Sequence, residues 1–339
     1  MRAWLILPFL AWAVNACSAS SESFSGGGGF VAGSTSAGSG SGTVPAGVLT
    51  AGAWDDNRNY DFFKTYLDTK ITLAGAPPIA QADRDSAAAL FAGARAPRQR
   101  LDVAIVIDTT GSMGDEASYL RTEFQNISAA IAADFPGADQ HWALVAYRDV
   151  GDTYVTLPFD FTADLGAFQA SLGGLSADGG GDYPESPDLG LAAMNSLHWR
   201  PDADVARVAF WVADAPAHDD RGPALAKDFA DSRQRDVHLY PVAASGADDL
   251  LELSMRSAAQ LTGGRYLFLT DDSGIGDTHK VPEIPCYFVT KLANAIVRMV
   301  SIELSGIYRE PDPSEILRTG GDPKNGSCTL SSGQQVSVF

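Results

Sequence analysis

Asp108, Thr110 and Ser112 stand at positions i, i+2 and i+4 of the run Asp108-Thr109-Thr110-Gly111-Ser112. In an extended turn, side chains at that spacing face the same way. All three offer oxygen, which suits a hard cation: magnesium is expected, with manganese or calcium as substitutes. No His or Cys joins them, so the donor set argues against zinc or copper. Hydroxyl ligands bring no charge, so a metal held partly by them stays electrophilic and can accept a carboxylate from another molecule. Two further clusters can complete the set. One is the loop Gly179-Gly180-Gly181-Asp182-Tyr183-Pro184-Glu185, and the other is Asp214 within Val212-Ala213-Asp214-Ala215-Pro216.

These clusters need a scaffold that brings distant loops together. Residues 103–107 form a continuous apolar run, as expected of a strand buried on both faces. Leu120, Phe124, Ile127 and Ile131 give residues 114–134 a helical period. Strands are expected at 142–147, 154–159, 205–213, 237–243 and 265–269. Helices are expected at 187–197, 224–233, 250–261 and 287–304. This alternation implies an α/β fold, a doubly wound and mostly parallel sheet flanked by helices. Ligands bind such sheets beyond the carboxyl ends of the strands, and all three clusters fall at strand ends.

Other chemistries fit less well. Ser112, Asp214 and His238 follow the chain order of an α/β-hydrolase triad, and Ser112 sits on a strand-to-helix turn. That turn requires Gly where Thr110 stands, and His238 opens a strand rather than ending one. A phosphatase with Asp108 as nucleophile would want a second Asp at position 110. The glycines at 179–181 lack the Gly-Lys-Ser/Thr ending of a phosphate loop.

Asp108-x-Thr110-x-Ser112 resembles the Asp-x-Ser-x-Ser signature of von Willebrand factor A domains, with Thr for the first Ser. The resemblance covers about residues 99–308 and implies a Rossmann-like fold carrying a metal-ion-dependent adhesion site. Asp214 matches the Asp of the family's third loop. The second loop departs from most members: Asp182-x-Pro184-Glu185 is similar to that of integrin β subunits, where the Glu coordinates the metal. The role therefore carries over to Glu185, with Asp182 second. Integrin β subunits also place two acidic residues just after the signature, holding an adjacent metal, and Asp115 and Glu116 fall there. Read from the residues alone, those two are acids in a helix's first turn, favoured by its dipole. In these families the last helix shifts along its axis as the metal site changes state. The resemblance implies a non-enzymatic, metal-dependent protein-binding module whose partner presents an Asp or Glu carboxylate. The alternative is a structural domain whose metal only staples its loops.

The 339 residues carry a formal net charge of −18, which argues against nucleic acid or an anionic membrane surface as partner. Residues 1–16 read as a secretory signal: Arg2, a short apolar run and a small residue before Cys17. Val14-Asn15-Ala16-Cys17 is similar to a bacterial lipobox, with Cys17 as the acylated residue. That implies an envelope protein held by lipid alone, at an outer membrane, with plain secretion as the alternative. Residues 17–48, rich in Gly and Ser, are expected to be a flexible tether. Residues 49–98 form a flanking segment. Asp55, Asn57, Asn59 and Asp61 alternate there, but Tyr60 and Tyr66 stand where an EF-hand needs Gly and Glu. In the 309–339 tail, Cys328 is expected to pair with Cys286, since acylation of Cys17 leaves two cysteines over.

Overall fold

The computed structural model describes residues 44–55, 74–90, 93–280, 282 and 286–321, with the backbone of two short strands at 327–329 and 335–337. The expected signal, Cys17 and residues 17–43 of the expected tether lie outside the described residues; its last residues, 44–48, are described, and there the Gly47 N–H donates to Oε2 of Glu123 at 2.6 Å, so this end of the expected tether is packed on the domain. Among the described residues, no helix is long and apolar enough to cross a membrane.

A nine-stranded sheet runs through the molecule. Its strands are β1 (Thr50–Ala53), β2 (Arg100–Asp108), β3 (Asp139–Tyr147), β4 (Thr156–Thr162), β5 (Val205–Ala213), β6 (Val237–Ala243), β7 (Leu267–Leu269), β8 (Tyr287–Lys291) and β9 (Arg318–Gly320), in the spatial order β4-β3-β2-β5-β6-β7-β1-β8-β9. β3, β2, β5, β6 and β7 are mutually parallel, while β4, β1 and β9 run antiparallel to their neighbours. A separate ribbon pairs β10 (Ser327–Thr329) with β11 (Gln335–Ser337).

Among the described residues, seven α-helices flank the sheet: α1 (Gln81–Leu90), α2 (Gly114–Asp134), α3 (Leu165–Gly173), α4 (Pro187–Asn195), α5 (Gly222–Gln234), α6 (Asp249–Thr262) and α7 (Leu292–Ser305). Alternate residues of β2 face opposite sides, as the strand period requires. Val103, Ile105 and Ile107 pack with Leu120, Phe124 and Ile127 of α2 and Leu292, Ile296 and Val300 of α7. Ala104 and Val106 pack on the other face with Leu191, Leu225, Phe229, Leu251 and Met255 from α4, α5 and α6. Each face is thus covered by helices, the doubly wound arrangement that the alternating pattern requires.

Besides α1, α3 and β9, for which no element was expected, two further elements depart from the sequence reading. Thr50–Ala53, expected to be part of a flanking segment, is an interior strand between β7 and β8. Its small residues give no strand signal, yet they are needed. A Cβ on Gly52 would lie 2.0 Å from Cζ of Phe268, so the ring on β7 closes directly over that glycine. The last helix begins at Leu292, not at 287. Tyr287-Phe288-Val289-Thr290, aromatic and β-branched, forms β8 and runs without a loop into α7. Cys286 therefore precedes a strand and is fully buried, while the Cys328 side chain lies outside the described residues.

Candidate metal centre

β2 ends on Asp108, and the chain turns through Thr110 into a short 3-10 turn, Gly111–Met113, that leads into α2. The turn is held from within. Oδ1 of Asp108 accepts the Thr110 backbone N–H at 2.9 Å and the Thr110 hydroxyl at 2.7 Å, and the Thr110 and Ser112 hydroxyls lie 3.2 Å apart. Asp108 and Thr110 are fully buried, whereas Ser112 is exposed at the mouth.

The second loop docks on this turn and on the end of β5. Gly111 N–H donates to the Gly179 carbonyl at 3.1 Å, and Asp178 N–H to the Thr109 carbonyl at 3.0 Å. Glu185 N–H donates to the Pro216 carbonyl at 2.9 Å, and Glu185 makes a parallel bridge with Ala217. Backbone pairing thus carries Glu185 to the end of β5, beside Asp214, and its side chain is buried.

Asp108, Glu185 and Asp214 lie near enough for their charges to act on one another. Burial pushes the Asp108 carboxyl up to about 7, with the charge of Asp214 adding to it, against the hydrogen bonds from Thr110. Burial likewise pushes Glu185 up to about 8, helped by Asp108, Asp149, Asp152 and Asp214. Oδ2 of Asp108 and Oε2 of Glu185 are buried without a hydrogen-bond partner. Buried carboxylate oxygens are normally satisfied, so such atoms mark a place where a cation would find waiting donors. Among the described residues, no three His, Cys, Asp or Glu side chains could hold a metal by themselves. The set expected from the sequence draws two donors from hydroxyls instead.

The remaining expected ligands are placed differently. Asp182 is exposed on the loop, three residues from Glu185. The Asp115 side chain lies outside the described residues. Glu116 is buried, but its carboxylate is taken up by His279, 2.7 Å away, and by the Ser245 N–H at 3.3 Å. His279 in turn contacts Asp271 at 2.8 Å.

Two acids that the sequence reading missed support the second loop. Asp149, just past β3, accepts the Ser186 hydroxyl at 2.6 Å and contacts Nε2 of His218 at 2.8 Å. Although burial opposes it, these partners hold Asp149 below the ordinary carboxylate value. Asp152 accepts the Gly180 N–H at 3.0 Å. Both follow a parallel strand end, the signal that could have revealed them.

The hydrolase triad is not assembled. His238 pairs in register with Val208, and Val208 with Val103, five residues before Asp108. That separation is roughly 16 Å along the strand. His238 is instead buried against Glu303 at 2.8 Å.

The family described as von Willebrand factor A domain matches residues 102–266, the stretch from β2 to just past α6 that includes the site's three loops. Over 121 residues the chain is 36% identical to a protein of Acanthamoeba polyphaga mimivirus named as a putative ariadne-like RING finger protein, covering 35% of this chain and 11% of that one. Over 120 residues it is 27% identical to the alpha-protein kinase vwkA of Dictyostelium discoideum, covering 35% and 19%. The chain therefore spans only a small part of the curated relatives it matches. Among solved structures, the conserved hypothetical protein BatB from Bacteroides thetaiotaomicron superposes with a TM-score of 0.41 at 10% identity, over 60% of this chain and 98% of that one. The pilus adhesin SpaC from Lactobacillus rhamnosus GG, in its open conformation, gives 0.38 at 14% identity, over 49% and 27%.

Proposed function

We propose that Thr110, Ser112 and Glu185, with Asp108 and Asp214 reaching it directly or through water, hold one divalent cation. We propose further that the chain is a protein-interaction module that captures a partner's Asp or Glu carboxylate on that ion. The observation that carries this reading is the group of mutually repelling acids Asp108, Glu185 and Asp214 beside two hydroxyls, with one oxygen each of Asp108 and Glu185 buried and unpartnered. A bound cation would supply Lewis acidity toward an incoming carboxylate. The protein's own residues do the rest. Asp108 orients the Thr110 hydroxyl, Asp149 and Ser186 fix the entry to α4, and Ser112 keeps one side open to solvent.

Calorimetric titration of the full chain with Mg2+, Mn2+ and Ca2+ tests the cation. Millimolar concentrations without binding would refute it. A pull-down from the native envelope, with magnesium against chelator, tests the partner. An ion that binds and raises the melting temperature without affecting any partner would instead favour the loop-stapling role.

We further propose export, acylation of Cys17 and a Cys286–Cys328 disulfide, on the residue pattern described for the sequence. Non-reducing mass spectrometry of the mature protein reads both modifications. An unmodified Cys17, or free thiols at 286 and 328, removes the corresponding proposal.

A further inference from the structure

We propose that Tyr154, braced by Arg148, is a positioning residue of the cation centre, and that its hydroxyl makes the centre prefer Mg2+ over Ca2+. The proposal rests on the cation reading above and concerns which ion the centre selects.

Thr109 stands between the expected ligands Asp108 and Thr110, but its side chain meets the turn between β3 and β4. Its polar groups are all engaged. The Thr109 N–H and hydroxyl both donate to the Tyr147 carbonyl, at 3.0 and 2.9 Å, and the Thr109 carbonyl accepts the Asp178 N–H at 3.0 Å. A hydroxyl has one proton to give, and that of Thr109 goes to the carbonyl. The Thr109 oxygen therefore accepts from the Tyr154 hydroxyl, 2.8 Å away.

Tyr154 is fixed in turn. The Arg148 guanidinium lies 4.5 Å from the centre of its ring, and Nη2 of Arg148 donates to the Ser176 carbonyl at 2.9 Å. Arg148 is 3% exposed, and its Nε is buried without a hydrogen-bond partner. A cation so poorly solvated is held firmly by a ring face, so guanidinium and ring act as one body. The turn thus grips the first loop at Thr109 and the approach to the second loop at Ser176. Thr110 and Ser112 ride on the first loop and Glu185 on the second, so this clamp sets the spacing between the two groups of donors.

That spacing matters unequally to the two ions. Mg2+ demands near-ideal octahedral geometry at about 2.0–2.1 Å, whereas Ca2+ accepts oxygens at about 2.3–2.6 Å in flexible arrangements. A loosened clamp therefore penalises Mg2+ more.

The test uses the full chain. Tyr154→Phe keeps the ring beside Arg148 and removes only the hydroxyl. In calorimetric titration its Mg2+ affinity should fall about tenfold, as when an outer support of a metal site is removed. Its Ca2+ affinity should stay within about twofold. Thr109→Val should shift the Mg2+/Ca2+ ratio the same way, and the double variant no further than Thr109→Val alone, as expected for partners in one contact. Hydrogen exchange in chelator supplies a readout without metal. The Asp178 N–H should exchange faster in Tyr154→Phe, relative to the Ile105 N–H in β2. A purely structural role would lower the melting temperature and leave the ratio untouched. That outcome overturns the proposal, as does an equal loss for both ions. If the native chain binds neither ion, the cation reading itself fails and the selectivity proposal falls with it.

Discussion

Gly180 shows how closely the backbone of the second loop is fitted to Glu185 and Thr110. Its φ of +69 is left-handed, and an added Cβ would lie 2.9 Å from Oε1 of Glu185 and 3.0 Å from Cβ of Thr110. Both neighbours are buried and cannot swing away. Gly180→Ala should therefore cost about 1–2 kcal/mol of stability through strain, and it should weaken Mg2+ binding at least about tenfold by displacing Glu185. Gly274→Ala is the control, with φ +67 but open space around the new Cβ. It should lose similar stability in urea titration and leave Mg2+ affinity untouched. Equal Mg2+ affinity in the two variants would show that the loop tolerates the intrusion. The placement of Asp108, Thr110, Ser112 and Asp214 at strand ends was legible in the sequence, because long apolar runs lead into them. The pairing of Asp149 with His218 was not, because it links residues 69 apart, which no local spacing reveals.

At the scale of elements, the last helix is fastened at both ends. Leu292 N–H donates to the Leu49 carbonyl at 2.9 Å, directly after β8. Arg298 makes a bidentate contact with Asp55 at 2.7 and 3.0 Å, and the Tyr308 hydroxyl also donates to Asp55. Near the other end, buried Glu303 accepts from the Tyr240 hydroxyl at 2.5 Å and from Arg95 at 2.9 Å, and it contacts His238 at 2.8 Å. An axial slide of α7 would have to break these contacts. Asp55 and Leu49 come from the segment that the sequence pattern places outside the domain, so this fastening could not be anticipated. What was legible was the buried stripe Leu292, Ile296, Val300 and Leu304, all in the core. The Glu303 network carries a pH signature. Burial alone would raise the Glu303 carboxyl, but His238 and Arg95 hold it well below the usual range. Burial alone would lower His238, but Glu303 and Asp236 raise it. Glu303 thus contributes stability above about pH 4.3, lost as pH falls through its folded value. His238 contributes fully below about pH 6.5, and that part is lost as pH rises through its raised value. Glu303→Gln should cost about 3 kcal/mol in urea unfolding between those limits, with the gap to the native chain narrowing on either side. A pH-independent gap would mean that the charges do not matter.

Over the whole molecule the same electrostatics set how the protein should respond to metal. The net charge is −18, and part of the acidic excess sits in a buried pocket where Asp108 and Glu185 are each pushed toward neutral pH by burial and by neighbouring acids. Without a counter-ion, folding near pH 7.5 must bring these groups together against their repulsion. A ligand that binds only the folded chain stabilises it by about 2.7 kcal/mol at a hundredfold excess over Kd. For a domain of this size that corresponds to a rise in Tm of about 5–10 °C. Mg2+ should produce that rise in scanning calorimetry, and NaCl at equal ionic strength should not, because a buried pocket is poorly screened by mobile salt. Asp108→Asn separates repulsion from ligation. The amide oxygen can still accept both Thr110 bonds at 2.9 and 2.7 Å, so the turn persists, while one buried negative charge is removed. In chelator the variant should therefore melt at or above the native temperature, and Mg2+ should no longer shift it. A variant that melts lower in chelator yet keeps the full Mg2+ rise would show that Asp108 braces the turn and takes no part in holding the ion.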